Sequence, residues 1–233
     1  MIVPITLNSI KIYPFQSRKQ LIDSLEGDNK ILVALNAEKL LHAGDDLKRI
    51  INTNIGYADG IGATLGLHKK GIKNAVKIPG CELWLTLVEH FYKNKTFYLI
   101  GASDEVIHET VSKLNLEFPG IQIAGFRNGY LKNDEERQEV INEVVSLKPD
   151  VVFVAMGSPR QELLMEAMQK EHPAIYQGLG GSFDVYVGKL KRAPKIWVDL
   201  KLEWFYRLLL EPKRIKRQIH LVRFFWLLLL NKI

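Results

Sequence analysis

The 233-residue chain predicts an α/β fold: a mostly parallel sheet with helices on both faces, plus a C-terminal helical appendage. Three observations carry that expectation. Apolar runs of strand length alternate with longer amphipathic runs, the pattern of a parallel sheet buried on both sides. Each strand-like run ends in glycine or small polar residues. Charge is also divided unevenly: from Lys189 onward there are 12 Lys and Arg against 3 Asp and Glu, while the body carries 20 against 23.

The elements follow in order. KILVALN (30–36) reads as a buried strand, and AEKLLHAGDDLKRIINT after it as helix containing a turn. TFYLIGAS (96–103) is a second strand, followed by the helical DEVIHETVSKLNLEF, which Pro119-Gly120 halts. IQIAGFRNGY (121–130) is a third, with the charged helix NDEERQEVINEVVSLKP behind it. DVVFVAMGSP (150–159) and AIYQGLGG (174–181) are the fourth and fifth, separated by the helix RQELLMEAMQKEH. Such a Rossmann-like order places ligands beyond the carboxyl ends of the strands. The shift in composition near Lys189 divides the chain into a core, 1–190, and a basic amphipathic appendage, 191–233.

Composition narrows the class. Hydrophobic content of 47% with 25% charge fits a folded globular protein. A single cysteine, Cys81, leaves no internal disulfide framework and no multi-cysteine metal site. The N-terminal residues lack the basic and apolar regions of a secretion signal. No run reaches the roughly 18 apolar residues of a membrane span.

Candidate chemistry lies at the strand ends. Asn36, Gly101, Tyr130, Gly157 and Gly178 begin a rim where backbone N–H groups and helix starts suit a phosphate, although glycine also simply ends strands. No GxGxxG or GxxxxGK[ST] pattern is present. In YADGIG (57–62), Asp59 suits a turn, since Asp-Gly is a common turn pair, and equally a general base among apolar neighbours. GSPRQE (157–162) reads as a helix start with Ser158 as N-cap, Pro159 at the first helical position and Gln161 as box partner. That leaves Arg160 and Gln161 free to meet a ligand at the helix mouth. The six histidines have no metal-ligand spacing and read as surface or core residues, so no metal site is expected.

Five longer motifs are more specific than any of these features. LNAEKLL, YADGIG, VAMGSPRQE, GLGGSFDVYVGKLKRAPKIW and LEWFYRLLLEPKRIKRQ, in this order and spacing, resemble the WecG/TagA/CpsF glycosyltransferase family over about residues 30–218. The NAEK segment and the tail look most like the branch that makes enterobacterial common antigen. The resemblance implies an inverting, metal-independent transferase without a cofactor. It would move N-acetylmannosaminuronic acid from UDP-ManNAcA to undecaprenyl-diphosphate-GlcNAc at the cytoplasmic face of the plasma membrane. Transfer of ManNAc from UDP-ManNAc to the same type of acceptor, as in teichoic acid linkage synthesis, is the alternative. In the family the aspartate matching Asp59 is the catalytic base, and the residues matching Asn36 and Gln161 line its pocket. Tyr130 and Asp184 match contacts to the uridine nucleotide, with Gly101 beside them on the rim. Arg207, Arg214 and Arg217 match appendage arginines that close over the diphosphates. Lys77 stands where relatives carry arginine, and Ala34 where teichoic-acid relatives carry threonine. The donor's carboxylate needs a cation, for which Lys77, Arg160 and Lys191 are candidates.

The basic tail raises two further readings. Nucleic-acid binding is disfavoured, because no recognition-helix or RNP pattern occurs and the tail aromatics cluster with leucines. Arg217, Leu221, Phe224 and Leu228 fall on one helical stripe. That stripe suits an anionic membrane surface or, in a homo-oligomer, a partner groove.

Overall fold

A computed structural model describes residues 2–25, 29–191, 194, 197, 205–206 and 215–230. Its sheet has six strands: β3 (Ile31–Leu35), β4 (Ile55–Ala58), β5 (Thr96–Gly101), β6 (Gln122–Arg127), β7 (Val151–Ala155) and β8 (Ile175–Gly178). Their order is β4-β3-β8-β7-β5-β6, and every pairing is parallel. The α/β expectation therefore holds, as do all five strands foreseen and the helices that follow them. β6 is shorter than the 121–130 run, because the chain leaves the sheet at Asn128.

Each strand sends alternate side chains to opposite faces, as a pleat requires. Val152 and Val154 of β7 join one core, and Val151 and Phe153 join the other. The first core is roofed by α2 (Ala37–His42), α3 (Asp45–Thr53), α4 (Ile61–Lys69), α7 (Asp134–Leu147) and α8 (Arg160–Glu171). The second is roofed by α1 (Arg18–Asp23), α5 (Gly80–Phe91), α6 (Asp104–Glu117) and α9 (Ser182–Tyr186). Starts of four helices are fixed by side-chain caps. Ser17, Asn36, Ser103 and Asn133 each accept a backbone N–H three residues on, and each such cap stabilises its helix by about 1 kcal/mol.

The pattern reading did not call α1, α5 or α9, and three further features escaped it. A small hairpin, β1 (Ile5–Leu7) and β2 (Ile10–Ile12), turns through Asn8 and Ser9, both at positive φ, as a type I′ turn demands. It packs Leu7, Ile10 and Ile12 into the first core, and the Tyr13 N–H bonds the Gly56 carbonyl at 2.8 Å, covering the outer edge of β4. β4 itself has only four residues, all buried, too few for a period to show. α4 carries two glycines and little amphipathicity, so it too gave no helical signal.

The C-terminal helix α10 (Ile215–Leu229) docks against α2 and α4. Phe224 is fully buried and Leu228 nearly so, both inside the first core. Gly66 of α4 lies beneath the Phe224 ring. The Lys69 ammonium donates to the Leu228 and Leu229 carbonyls, and His42 meets His220 at 2.9 Å between ring nitrogens. The stripe expected to face a membrane or partner thus turns its Phe224 and Leu228 inward. A different face, Val222, Phe225, Trp226, Leu229 and Leu230, remains exposed. Among the described residues no helix is long and apolar enough to cross a membrane.

Candidate functional site

A cavity of about 1150 Å³ opens over the carboxyl ends of β4, β3, β8 and β7. Much of its wall comes from the four turns that leave those strands, completed by the 77–81 loop, the start of α3 and residues 190–191. Asp59 and Gly60 follow β4, Asn36 and Lys39 follow β3, Gly178 to Ser182 follow β8, and Met156 to Gln161 follow β7.

Asp59 is half-buried at the tip of β4. Its backbone N–H bonds the Leu35 carbonyl at 3.0 Å, and its Oδ1 accepts the Gly80 N–H at 2.7 Å. Gly80 opens α5, so the carboxylate sits at a helix N-terminus, where a negative charge is favoured. The fit is tight for any larger residue. A Cβ on residue 80 would come within 3.0 Å of the Tyr57 hydroxyl and 3.7 Å of the Asp59 Oδ1. Tyr57 lies wholly buried beneath, its phenol oxygen accepting from Gln177 Nε2 at 3.2 Å. Burial, then the charge of Asp59, push the Tyr57 phenol well above its ordinary pKa, so it stays neutral.

Asn36 does two jobs at the tip of β3. Its Oδ1 caps α2 by accepting the Lys39 N–H at 2.9 Å, and its side chain forms part of the cavity wall. Lys77, Arg160 and Lys191 bring positive charge to the same wall, while Glu38, Asp45 and Asp46 bring negative charge near α3. Asn36, Asp59, Lys77, Arg160 and Gln161 are therefore gathered around one cavity from positions 125 residues apart in the chain. Among the described residues no group of three or more His, Cys, Asp or Glu side chains is placed to hold a metal ion.

Other candidates sit elsewhere. Gly101 ends β5 hard against Ala155, and Gly129 packs over it, beside rather than within the cavity wall. Tyr130 is 70% exposed on the loop after β6. Asp184 lies on α9, whose neighbours Ser182 and Val185 line the cavity while it does not. Arg207 and Arg214 lie outside the described residues. Arg217 falls within α10, with its side chain outside them.

The start of α8 departs from the expected capping box. Pro159, not Ser158, occupies the cap position, the Ser158–Pro159 peptide is cis, and no side chain caps the helix. Gln161 is instead buried, with its Oε1 accepting the Gly157 N–H at 3.2 Å and the Gly180 N–H at 2.9 Å. Sequence reading also missed Lys39, Glu162 and Gly80. Lys39 and Glu162 pair at 2.7 Å across 123 positions, a contact no local pattern betrays. Pro79-Gly80 did carry a turn signal, but nothing in it announced a partner for Asp59.

The family model described as Glycosyl transferase WecG/TagA/CpsF family matches residues 6–233, taking in every strand of the sheet and all four turns around the cavity. The chain belongs to that family and is a glycosyltransferase.

Proposed function

We propose that the protein is an inverting transferase that moves N-acetylmannosaminuronic acid from UDP-ManNAcA to undecaprenyl-diphosphate-GlcNAc, without a metal. Membership of the family implies transfer involving lipid-linked sugars. The observation that carries the finer reading is the setting of Asp59: a carboxylate anchored by the Gly80 N–H at the floor of a cavity with cations on its wall.

In this reading Asp59 takes the proton from an acceptor GlcNAc hydroxyl. The resulting oxygen attacks the anomeric carbon from the face opposite UDP, the bond from that carbon to the diphosphate breaks, and its electron pair leaves on the β-phosphate. Arg160, Lys191 and the appendage residues Arg207, Arg214 and Arg217 supply fixed positive charge for that leaving group. Lys77, closest in sequence to the Pro79-Gly80 turn that orients Asp59, is assigned to the donor's sugar carboxylate. Tyr130, Asp184 and Gly101 receive the uridine end, next to the cavity. The exposed face of α10 rests on the cytoplasmic leaflet, where the lipid acceptor lies, as expected of an interfacial helix with basic flanks.

Asp59→Asn tests the base. Transfer is expected to fall at least about 100-fold, the scale of general-base catalysis, with UDP affinity by calorimetry unchanged. Near-normal turnover would refute the role. Parallel assays with UDP-ManNAcA and UDP-ManNAc decide the donor, and a preference for the neutral sugar would replace ManNAcA in the proposal.

A further inference from the structure

Gln161 presents a chemical puzzle. A glutamine side chain has an oxygen end and a nitrogen end of nearly equal shape, so its orientation is set by what surrounds it. Here the oxygen must face the loops, because both the Gly157 and Gly180 N–H groups point at it. Turned over, the amide would oppose donors with donors at both tips. Gly178 leaves room for the amide, since a Cβ there would lie 2.4 Å from Gln161 Nε2.

The next residue holds the other end of the amide in the same orientation. Glu162 Oε1 accepts from Gln161 Nε2 at 3.1 Å, and an ionised carboxylate has no proton to offer the oxygen end. Yet the Glu162 side chain has no exposure at all, a setting in which a carboxylate ordinarily takes up a proton. Lys39 prevents this. Its ammonium bonds Glu162 Oε1 at 2.7 Å while its own side chain is only 12% exposed. Burial raises the Glu162 pKa, but Lys39, Gln161 and Ser158 outweigh it and hold the group below its ordinary range.

We propose that Lys39 and Glu162 are positioning residues that orient Gln161 and through it fasten the tips of β7 and β8 over the cavity. The chain of contacts is continuous. It runs from α2 through Lys39 to Glu162, then to Gln161, and from there to Gly157 and Gly180. Because Lys39 is also anchored through its own N–H to Asn36, the device couples three of the four strand tips around the site. The charge of Lys39 is spent on Glu162, and Lys39 is not a ligand for phosphate. The kinetic consequence rests on the proposed transferase reading, whereas the structural consequence does not.

Two substitutions cut the relay at different links. Glu162→Gln removes the anionic acceptor. Lys39→Met keeps the carboxylate but strips its counter-charge, so Glu162 becomes protonated and offers a donor to the wrong end of Gln161. Lys39→Arg keeps the pair. Amide hydrogen exchange followed by NMR should show Gly157 and Gly180 exchanging about tenfold faster in both Glu162→Gln and Lys39→Met, as loss of a hydrogen bond of this kind predicts. Lys39→Arg should restore wild-type protection. Wild-type protection at the two glycines in either damaged variant would overturn the relay. In transfer assays the damaged variants should lose about tenfold in kcat at similar donor KM, with rescue by Lys39→Arg. A raised KM at unchanged kcat would overturn the positioning role. If the wild-type chain transfers no sugar between the named substrates, the function proposal fails, and the exchange experiment still decides the relay.

Discussion

The cavity floor and the C-terminal helix are built by different means. At the floor, backbone groups do the holding: Asp59 is fixed by the Leu35 carbonyl and the Gly80 N–H, and Gln161 collects two glycine N–H groups. Buried side chains beneath, Tyr57 and Gln177, leave no room for adjustment. α10 is held by side chains instead. Phe224 and Leu228 enter the core, Lys69 reaches two terminal carbonyls, and one histidine pair joins α10 to α2. Bonds at the strand ends open only with the strands they tie together, whereas a helix docked through its side chains can leave while the rest stays folded. The floor is thus suited to hold reacting atoms still, and α10 is suited to move.

The largest effect should come from disturbing the floor. Gly80→Val places branched carbons where a single Cβ already comes within 3.0 Å of the Tyr57 hydroxyl. The start of α5 must then shift, and Asp59 loses its 2.7 Å bond. Overpacking of this kind costs about 1–3 kcal/mol, and misplacing a base by about 1 Å costs on the order of 100-fold in rate. Transfer assays should therefore fall about as far as for Asp59→Asn. A Gly80→Val enzyme with wild-type turnover would show that the Gly80 contact does not position the carboxylate.

This division also explains what the sequence disclosed. Strands β3, β5, β7 and β8 were legible because their apolar runs are bounded by turn residues. β4 was not, since its four buried residues merge with the YADGIG turn, and its place in the sheet is fixed by pairing with β3. The gathering of Asn36, Asp59 and Gln161 follows from motifs at strand ends, a general property of parallel sheets. Their partners did not show. Glu162 reads as an ordinary first-turn acid, and only burial and a lysine 123 positions away give it a role. The tail misled for a related reason: a stripe with both aromatic and leucine residues is apolar whichever way it faces. Only packing against Gly66 and α2 tells that Phe224 points inward.

A smaller effect, on stability rather than rate, separates the two faces of α10. Phe224→Ala empties a fully buried site, and losses of about 3–5 kcal/mol are usual for such truncations. Because α10 can leave instead of holding a void open, the loss is bounded by the docking energy. Denaturant unfolding should show α10 releasing before the sheet. Phe225→Ala, on the exposed face, should alter stability by no more than about 0.5 kcal/mol. Equal losses for the two variants would mean that both faces are covered and would remove the distinction. On vesicles of anionic lipid the ranking should invert. Phe225→Ser with Trp226→Ser should weaken flotation, and unchanged flotation would remove α10's exposed face from the membrane proposal.

The smallest effect lies in the contact between His42 and His220, and it gives the detachable region a dependence on pH. Desolvation lowers the His42 pKa, and the charges of His220 and Arg223 on α10 lower it further, while Glu38 on its own helix raises it. A group with a depressed pKa binds fewer protons in the docked state than in the released one. Docking is therefore at full strength above the ordinary imidazole pKa of about 6.5, weakens as pH falls through that value, and stops weakening below the depressed one. His42 is largely exposed, so solvent screening keeps the change modest, less than about tenfold in the docking equilibrium. Limited proteolysis of α10 between about pH 8 and 5.5 should show faster cleavage on the acid side. His42→Gln should flatten that profile by removing the titrating group while leaving Phe224 and Leu228 seated. A profile as steep in His42→Gln as in the parent chain would assign the pH response to other groups.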